Sequence, residues 1–201
     1  MGRKSTRNTI VETGLQVMFQ SGYVGTSVRD IVAAAGVPQG CFTNHFRSKE
    51  QFTSEVLQHY FDNLKALIQD TLGDATLSPR DRLRRYLDAI TSRLEDAHWR
   101  RGCLIGDLSL EAPGHSELLR HRLGEIFLEW RAPFAECIAA AQAQGEIDTQ
   151  FAPDDLAEFL LSSWLGSILR MKVERNPEPL ERFKRIAFAT VFATKSQGEK
   201  V

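Results

Sequence analysis

The sequence predicts an all-α protein of about nine helices, and three observations carry this prediction. Apolar residues recur along the chain at the three- and four-residue spacing of a helix face. No segment combines alternating apolar and polar residues with the β-branched enrichment of a strand. Glycines, prolines and capping residues stand between the periodic segments, where helices are expected to begin and end.

The first three predicted helices are short and lie close together at the N-terminal end. Ser27 suits the N-cap of the second helix, with Asp30 at the third helical position. Gly36 can take the positive φ of a tight turn, and Pro38 suits the first turn of the third helix. The predicted spans are residues 6–21, 28–34 and 38–44.

The rest of the chain predicts six further helices without repeats or a low-complexity linker. Ser48 caps a long fourth helix, and the tract Gly73–Thr76 is the best candidate break after it. Pro79 and Pro153 open later helices, and Pro133 is a candidate kink within one of them. The predicted spans are residues 49–72, 79–97, 103–113, 116–144, 153–175 and 180–193.

Composition is that of an ordinary soluble globular protein. The 201 residues are 42% hydrophobic and 25% charged, and no apolar run approaches the roughly 18 residues of a membrane span. The N-terminus is basic but lacks the apolar region of a secretory signal, so we expect a cytoplasmic location. The three cysteines form no C-x-x-C pair and stand near no histidine cluster, so neither a metal, a cofactor nor a structural disulfide is predicted.

The charge is unevenly distributed although the net charge is only -1. Residues 1–50 contain six basic and three acidic groups, whereas the remainder contains 19 basic and 23 acidic groups. A basic N-terminal part on an acidic body fits nucleic acid bound by that part alone.

The stretch from Gly22 to Glu50 has the pattern of a helix-turn-helix, in which the second short helix enters the major groove. Gln and Asn side chains can pair with adenine, and Gly40 allows a close backbone approach. Two short helices joined by a glycine also occur in proteins that do not bind DNA. The candidate DNA-binding residues are Thr26, Ser27, Arg29, Gln39, Gly40, Thr43, Asn44, His45 and Lys49.

This stretch resembles the signature of the TetR family of repressors over about a quarter of the chain, without a gap. Thr43 and Cys41 depart from it, since the family usually has Tyr and Ser or Thr at these positions. The resemblance implies a DNA-binding domain at residues 1–48 and a helical ligand-sensing and dimerisation domain at 49–201. The matching residues are Gly22, Tyr23, Thr26, Ser27, Val28, Ile31, Ala35, Gly36, Val37, Gly40, Phe42, His45, Phe46, Ser48, Lys49 and Glu50.

The segment Arg100–Leu108 resembles the R-x-G-C-L-x-G-N segment of a TetR subgroup that includes NemR-like and AcuR-like regulators, with Asp107 in place of Asn. The resemblance implies a response to reactive electrophiles or unsaturated acids. Cys103 is predicted to lie at a helix start among basic residues, where the thiol pKa should be lowered. The alternative is that Cys103 is a small buried apolar residue.

Apolar residues of the later helices predict an inducer pocket and a dimer interface. The last two helices carry apolar residues over a wider surface than packing against the rest of one chain would bury. The resemblance implies that these helices pair with those of a second copy to form a homodimer. The pocket residues are equally consistent with ordinary core packing. The candidate sensor residues are Cys103, Leu104, Asp107, Trp130, Phe134, Trp164, Ile168 and Lys172.

The sequence therefore predicts a repressor that binds palindromic operator DNA as a homodimer and is released by a small-molecule inducer. A purely non-covalent apolar or small-acid inducer without thiol chemistry is the alternative mechanism. An enzyme is the rival class, but no phosphate loop, nucleophile elbow or metal motif is present in the sequence. A DNA-organising protein without a ligand is a further alternative, which would coat DNA without sequence preference.

Overall fold

A computed structural model describes residues 5–193 and contains nine α-helices and no strand in that part of the chain. The predicted all-α class is confirmed. A short 3-10 turn, Ala112–Gly114, follows the sixth helix. The helices are α1 (Thr6–Ser21), α2 (Val28–Ala35), α3 (Gln39–His45), α4 (Lys49–Leu72), α5 (Pro79–Asp96), α6 (Leu104–Ser109), α7 (Glu117–Ala143), α8 (Pro153–Glu174) and α9 (Glu178–Ala189).

Local capping explains where the N-terminal helices begin and end. The hydroxyl of Ser27 accepts a hydrogen bond from the Asp30 amide at 3.2 Å, and the Asp30 carboxylate accepts one from the Ser27 amide at 2.9 Å. This reciprocal capping box fixes the start of α2. Gly36 ends α2 in the left-handed conformation, with φ 65° and ψ 31°. A side chain with Cβ adopts this conformation at a cost, so the glycine suits the turn.

The chain divides into two compact units. Of the described residues, the first unit contains 5–64 together with Cys103–Ile126, and the second contains Lys65–Gly102 and 127–193. The segment Cys103–Ile126 therefore packs within the unit that carries α1, α2 and α3. From the sequence, this segment was predicted to belong to the C-terminal domain at residues 49–201.

The core of the first unit is built around three phenylalanine rings. Phe42, Phe46 and Phe52 lie with ring centroids 4.8–5.1 Å apart, and each ring is almost fully buried. Gly14 of α1 leaves room for this cluster, because a Cβ there would lie 2.3 Å from the Phe52 Cζ atom. Such a core orients α3 by burying Phe42 on one side of the helix.

In the second unit α9 packs against α8 and α5. The Arg80 side chain donates from Nε to the carbonyl of Phe192 at 2.6 Å and from Nη2 to the carbonyl of Phe188 at 2.8 Å. Helix α9 ends at Ala189, four residues before the predicted end. The guanidinium satisfies carbonyls that a continuing helix would have bonded internally, so the chain can leave the helix there.

No helix among the described residues is long and apolar enough to span a membrane. Within residues 5–193, no group of three or more His, Cys, Asp or Glu side chains is placed to hold a metal ion. Helix α7 continues through Pro133 from Glu117 to Ala143, as the sequence predicted to within one residue at each end.

Candidate nucleic-acid interface and sensor segment

Helices α1, α2 and α3 pack against one another in the first unit. Ile31 of α2 and Phe42 of α3 are buried in their common core. The amide of Val37 donates to the carbonyl of Val32 at 3.1 Å, which closes the turn after α2. This packing fixes one face of α3 and leaves its opposite face in solvent.

The exposed face of α3 carries every residue that the sequence predicted there. The Gly40 position is open, because a Cβ there would meet nothing within 4 Å. The Thr43 hydroxyl donates to the carbonyl of Gly40 at 3.1 Å, so this side chain is held against its own helix. An exposed helix with Gln and Asn side chains has the donors and acceptors that read base edges in the major groove. The exposed residues are Gln39, Gly40, Thr43, Asn44 and His45.

Two of the candidate DNA-binding residues are engaged by partners within their own chain. Thr26 is only 1% exposed, and its hydroxyl donates to the carbonyl of Gly22 at 2.6 Å, so it stabilises the loop before α2. Ser27 is exposed, but its hydroxyl is engaged with Asp30, whose carboxylate occupies the start of α2. An acidic group there disfavours an anion at that helix N-terminus. The partners of both residues depend on the folded loop, so the sequence pattern alone does not show them.

The basic candidates differ in their placement. Arg29 is exposed on α2, whereas Lys49 is half-buried. The Lys49 ammonium lies 4.4 Å from the centre of the Tyr23 ring. Burial lowers the pKa of Lys49, and the nearby Glu111 carboxylate opposes this shift. Lys49 thus lies at the edge of the predicted interface, with its ammonium over an aromatic ring and in the field of a carboxylate.

Glu111, which is not among the site residues predicted from the sequence, contacts the loop before α2. Its Oε1 atom accepts a hydrogen bond from the Tyr23 amide at 2.5 Å, and its Oε2 atom accepts one from the Val24 amide at 3.1 Å. Glu111 is 88 positions from Tyr23 and 87 from Val24 in the chain, and all three residues belong to the same unit. No local sequence pattern reports such a contact.

Cys103 is the N-cap of α6 and is buried, with 7% of its surface exposed. Burial raises the pKa of the Cys103 thiol, and the nearby Gly106 amide, Tyr60 hydroxyl and Ile105 amide oppose this shift. The predicted lowering of this pKa was therefore wrong in direction for this conformation. The helix start supplies the expected donors, but the cost of placing an anion in the interior outweighs them.

The remaining sensor candidates lie in both units. Leu104 is buried and Asp107 half-buried on α6 in the first unit. The second unit contains the candidates of α7 and α8, of which all but the half-buried Lys172 are buried. The second-unit candidates are Trp130, Phe134, Trp164, Ile168 and Lys172.

Two of these residues carry buried hydrogen-bond donors that the described residues do not satisfy. The indole Nε1 atoms of Trp130 and Trp164 have no partner among them. The Trp130 ring stacks at 6.4 Å on Phe127, and the Trp164 ring lies 5.5 Å from Phe183. Buried N–H groups without acceptors are uncommon in native proteins and call for an explanation.

Helices α8 and α9 enclose a surface groove of about 530 Å³ in the second unit. Phe159 and Ile186 line it and are 45% and 53% exposed. Val173, further along α8, is 76% exposed. Large apolar side chains clustered on a surface indicate an interaction site.

Comparison with known proteins decides the family. Residues 10–56 match the family described as bacterial regulatory proteins, tetR family, and residues 79–187 match the family described as tetracyclin repressor-like, C-terminal domain. The chain belongs to the TetR family. Its N-terminal match covers α2 and α3 and most of α1.

Three TetR-family relatives are similar along nearly their whole length. The HTH-type transcriptional repressor DhaR of Mycobacterium sp. strain GP1 is 47% identical over 94% of this chain and 93% of its own. The transcriptional regulator AcuR of Cereibacter sphaeroides is 33% identical over 94% of this chain and 86% of its own. The crystal structure of reduced Escherichia coli NemR superposes with a TM-score of 0.82 and 27% identity, covering 96% of this chain and all of the other.

These similarities confirm the predicted resemblance to the subgroup that includes NemR and AcuR. They also place the chain among transcriptional regulators and not among enzymes. The exposed face of α3 is therefore the candidate operator-reading surface of a TetR-family regulator. The sensor residues remain predictions.

Proposed function

We propose that this TetR-family protein is a transcriptional repressor that binds palindromic operator DNA as a homodimer and is released by a small-molecule inducer. The observation that carries the proposal is the exposed face of α3, held from behind by the buried ring cluster of the first unit. A rigid helix is needed because reading base edges requires donors and acceptors at fixed positions.

In the proposed complex α3 enters the major groove. Gln39 and Asn44 are the candidate base readers, and Gly40 lets the backbone come close to the DNA. Arg29 and Lys49 are the candidate phosphate contacts, for which Lys49 must leave the Tyr23 ring. A dimer presents two such helices, so the operator should contain two inverted half-sites separated by one helical turn or more.

A selection experiment tests the DNA-binding part of this proposal. Duplexes bound by the full-length protein are selected from a random pool, and the mass of the complex is measured in solution. The proposal predicts one inverted repeat bound by a dimer, with affinity that falls steeply as salt rises. Sequence-blind coating of all duplexes would instead support an architectural role.

We propose that the homodimer forms through α8 and α9. The support is their apolar groove, in which Phe159 and Ile186 are half exposed although both are large hydrophobic residues. Burying such side chains against a second copy removes apolar surface from water at about 25 cal/mol per Å². A two-fold arrangement would place the same groove of each copy against the other.

For the inducer we propose a small, mostly apolar molecule that carries a hydrogen-bond acceptor such as a carbonyl or carboxylate oxygen. The support is the pair of unpartnered buried indole N–H groups of Trp130 and Trp164, either of which could donate to such an oxygen. A donor left unsatisfied costs about 1–3 kcal/mol, so an acceptor that reaches it gains affinity. A Lys172 ammonium in the second unit would favour an acid.

The buried, protonated thiol of Cys103 favours non-covalent induction over electrophile chemistry. The neighbouring Gly106 amide, Tyr60 hydroxyl and Ile105 amide lower the pKa of this thiol against the effect of burial, and this keeps the electrophile mechanism as a second candidate. A gel shift with the selected duplex and a panel of quinones, aldehydes and unsaturated acids separates the two. Non-covalent induction predicts that Cys103→Ser is released like the wild type, whereas covalent induction predicts that it stays bound.

A further inference from the structure

The contact between Glu111 and the loop before α2 is a specific feature of the first unit. We call it the Glu111 clasp and define it as the Glu111 carboxylate with the amides of Tyr23 and Val24. Each carboxylate oxygen accepts from a different amide, at 2.5 and 3.1 Å. Hydrogen bonds to an ionised acceptor are about twice as strong as neutral ones.

The backbone around the clasp is shaped to admit the carboxylate. Gly22 has φ 68°, a conformation that favours glycine, and a Cβ at this position would lie 2.3 Å from Glu111 Oε1. The glycine thus provides both the turn that points successive amides at the carboxylate and the space that the carboxylate fills. Successive amides in such a turn form a small concave site for an anion. Here a carboxylate of the same chain occupies it.

The clasp connects directly to the groups proposed to bind DNA. Tyr23 is buried, and its ring lies under the Lys49 ammonium. The carbonyl of Gly22 accepts a hydrogen bond from the hydroxyl of Thr26, and Thr26 directly precedes the N-cap residue of α2. Whatever moves the clasp must therefore move the start of α2 and the lysine at the edge of the predicted interface.

The other end of the clasp leads to α6. Glu111 follows α6 by two residues, and its amide donates to the carbonyl of Leu108 at 3.3 Å. Ile105 and Leu108 are fully buried and Cys103, at the N-cap position, is also buried, so α6 is a short helix packed into the core of the unit. A change at Cys103 that displaces α6 would shift Glu111 with it, because packed side chains cannot absorb the displacement.

We propose that Glu111 is a positioning residue through which α6 sets the DNA-binding geometry of α2 and Lys49. This proposal rests on the proposed function, since it needs a DNA affinity to regulate. Glu111 does not touch DNA in this account and acts through the Tyr23 loop. Removing the Glu111 carboxylate should weaken operator binding. It should also make the affinity for the operator insensitive to changes in α6.

A double-mutant cycle tests the proposal without a known inducer. The probe is a duplex selected by the wild-type protein, and the perturbation of α6 is Cys103→Met, which overfills a buried position. Affinity is measured for the wild type, Glu111→Ala, Cys103→Met and the double variant. Glu111→Gln, which keeps one acceptor oxygen, serves as the conservative variant. Glu125→Ala removes an exposed carboxylate of the same unit and is the matched control.

The proposal predicts that Glu111→Ala weakens binding about tenfold, that Glu111→Gln weakens it less and that Glu125→Ala leaves it unchanged. In the wild-type background, Cys103→Met should weaken DNA binding at least about fivefold, at the lower end of the roughly 5- to 150-fold range of allosteric effects. In the Glu111→Ala background, the same substitution should weaken DNA binding by less than about twofold. The proposal would be overturned if Glu111→Ala bound DNA as tightly as the wild type, or if Cys103→Met left the affinity unchanged. It would also be overturned if the double variant lost affinity by the product of the two single effects.

Hydrogen exchange of the Tyr23 and Val24 amides gives a readout that is independent of DNA. Both amides should exchange faster in Glu111→Ala and in Cys103→Met than in the wild type or Glu125→Ala. Unchanged exchange in Cys103→Met would overturn the coupling. If Cys103→Met does not fold, Leu108→Ala replaces it as the perturbation of α6. A wild type that selects no duplex would refute the proposed function, while the exchange data still decide whether α6 controls the clasp.

Discussion

Replacing Gly40 with Ala separates the stability of α3 from its use in DNA binding. Gly40 lies inside α3, and an added Cβ would meet nothing within 4 Å, so the folded chain accommodates the methyl group without a clash. Alanine is favoured over glycine in a helix by about 0.5–1 kcal/mol. The free energy of unfolding should therefore rise by up to about 1 kcal/mol.

The same methyl group projects from the surface that is proposed to approach the DNA. Displacing the helix far enough to lose one base-edge contact costs about 1–3 kcal/mol, which corresponds to roughly 5- to 150-fold weaker binding. The variant should thus be more stable and yet bind the selected duplex less tightly. A purely structural role for Gly40 cannot produce these opposite changes.

The assay combines urea unfolding with fluorescence anisotropy of a labelled duplex. Gly124→Ala is the matched control, because Gly124 lies in α7, is exposed and has open space around it. That variant should gain similar stability and bind DNA as the wild type does. If Gly40→Ala binds DNA at full strength while being stabilised, the assignment of this face to the DNA is refuted.

Three further predictions concern the second unit and the thiol. Ile186→Asp should yield monomers in light scattering because it places a charge in the proposed interface, whereas Phe151→Asp, at another exposed apolar residue, should remain dimeric. A dimeric Ile186→Asp together with a monomeric Phe151→Asp would contradict the interface. Arg80→Ala should lower the free energy of unfolding in urea by about 2–4 kcal/mol, because two hydrogen bonds from a charged group are lost; an unchanged midpoint would contradict this role. Burial raises the Cys103 pKa above its ordinary 9.0, so the unfolded chain loses this proton at a lower pH than the folded chain does. The free energy of unfolding should therefore fall above about pH 9 more steeply in the wild type than in Cys103→Ser, and identical pH profiles would contradict this.

Local chemistry explains why the N-terminal helices could be predicted from the sequence. The Ser27 and Asp30 pair forms a capping box that is set by residues three positions apart, and Gly36 adopts the left-handed turn that its lack of a Cβ allows. Helix α1 has the predicted bounds, residues 6–21. The exposed face of α3 follows from the same periodicity that buries Phe42.

The residues that were misplaced depend on distant or burial-dependent contacts. Thr26 was predicted as an exposed DNA-binding residue, but it is buried and its hydroxyl bonds the Gly22 carbonyl inside the loop. The Cys103 pKa was expected to fall from the helix start alone, whereas burial by the rest of the unit reverses the direction. The Glu111 contact joins segments 88 residues apart, and no periodicity encodes such a pairing.

The most direct test of the account compares the sequences selected by the wild type and by Asn44→Ala from the same random pool of duplexes. Asn44 is exposed on α3 and is the side chain proposed to read a base edge. The account predicts that the wild type selects an inverted repeat and that the variant loses preference at one position in each half-site, symmetrically about the centre. An unchanged preference in the variant, or no inverted repeat selected by the wild type, would contradict the claim that α3 reads the operator.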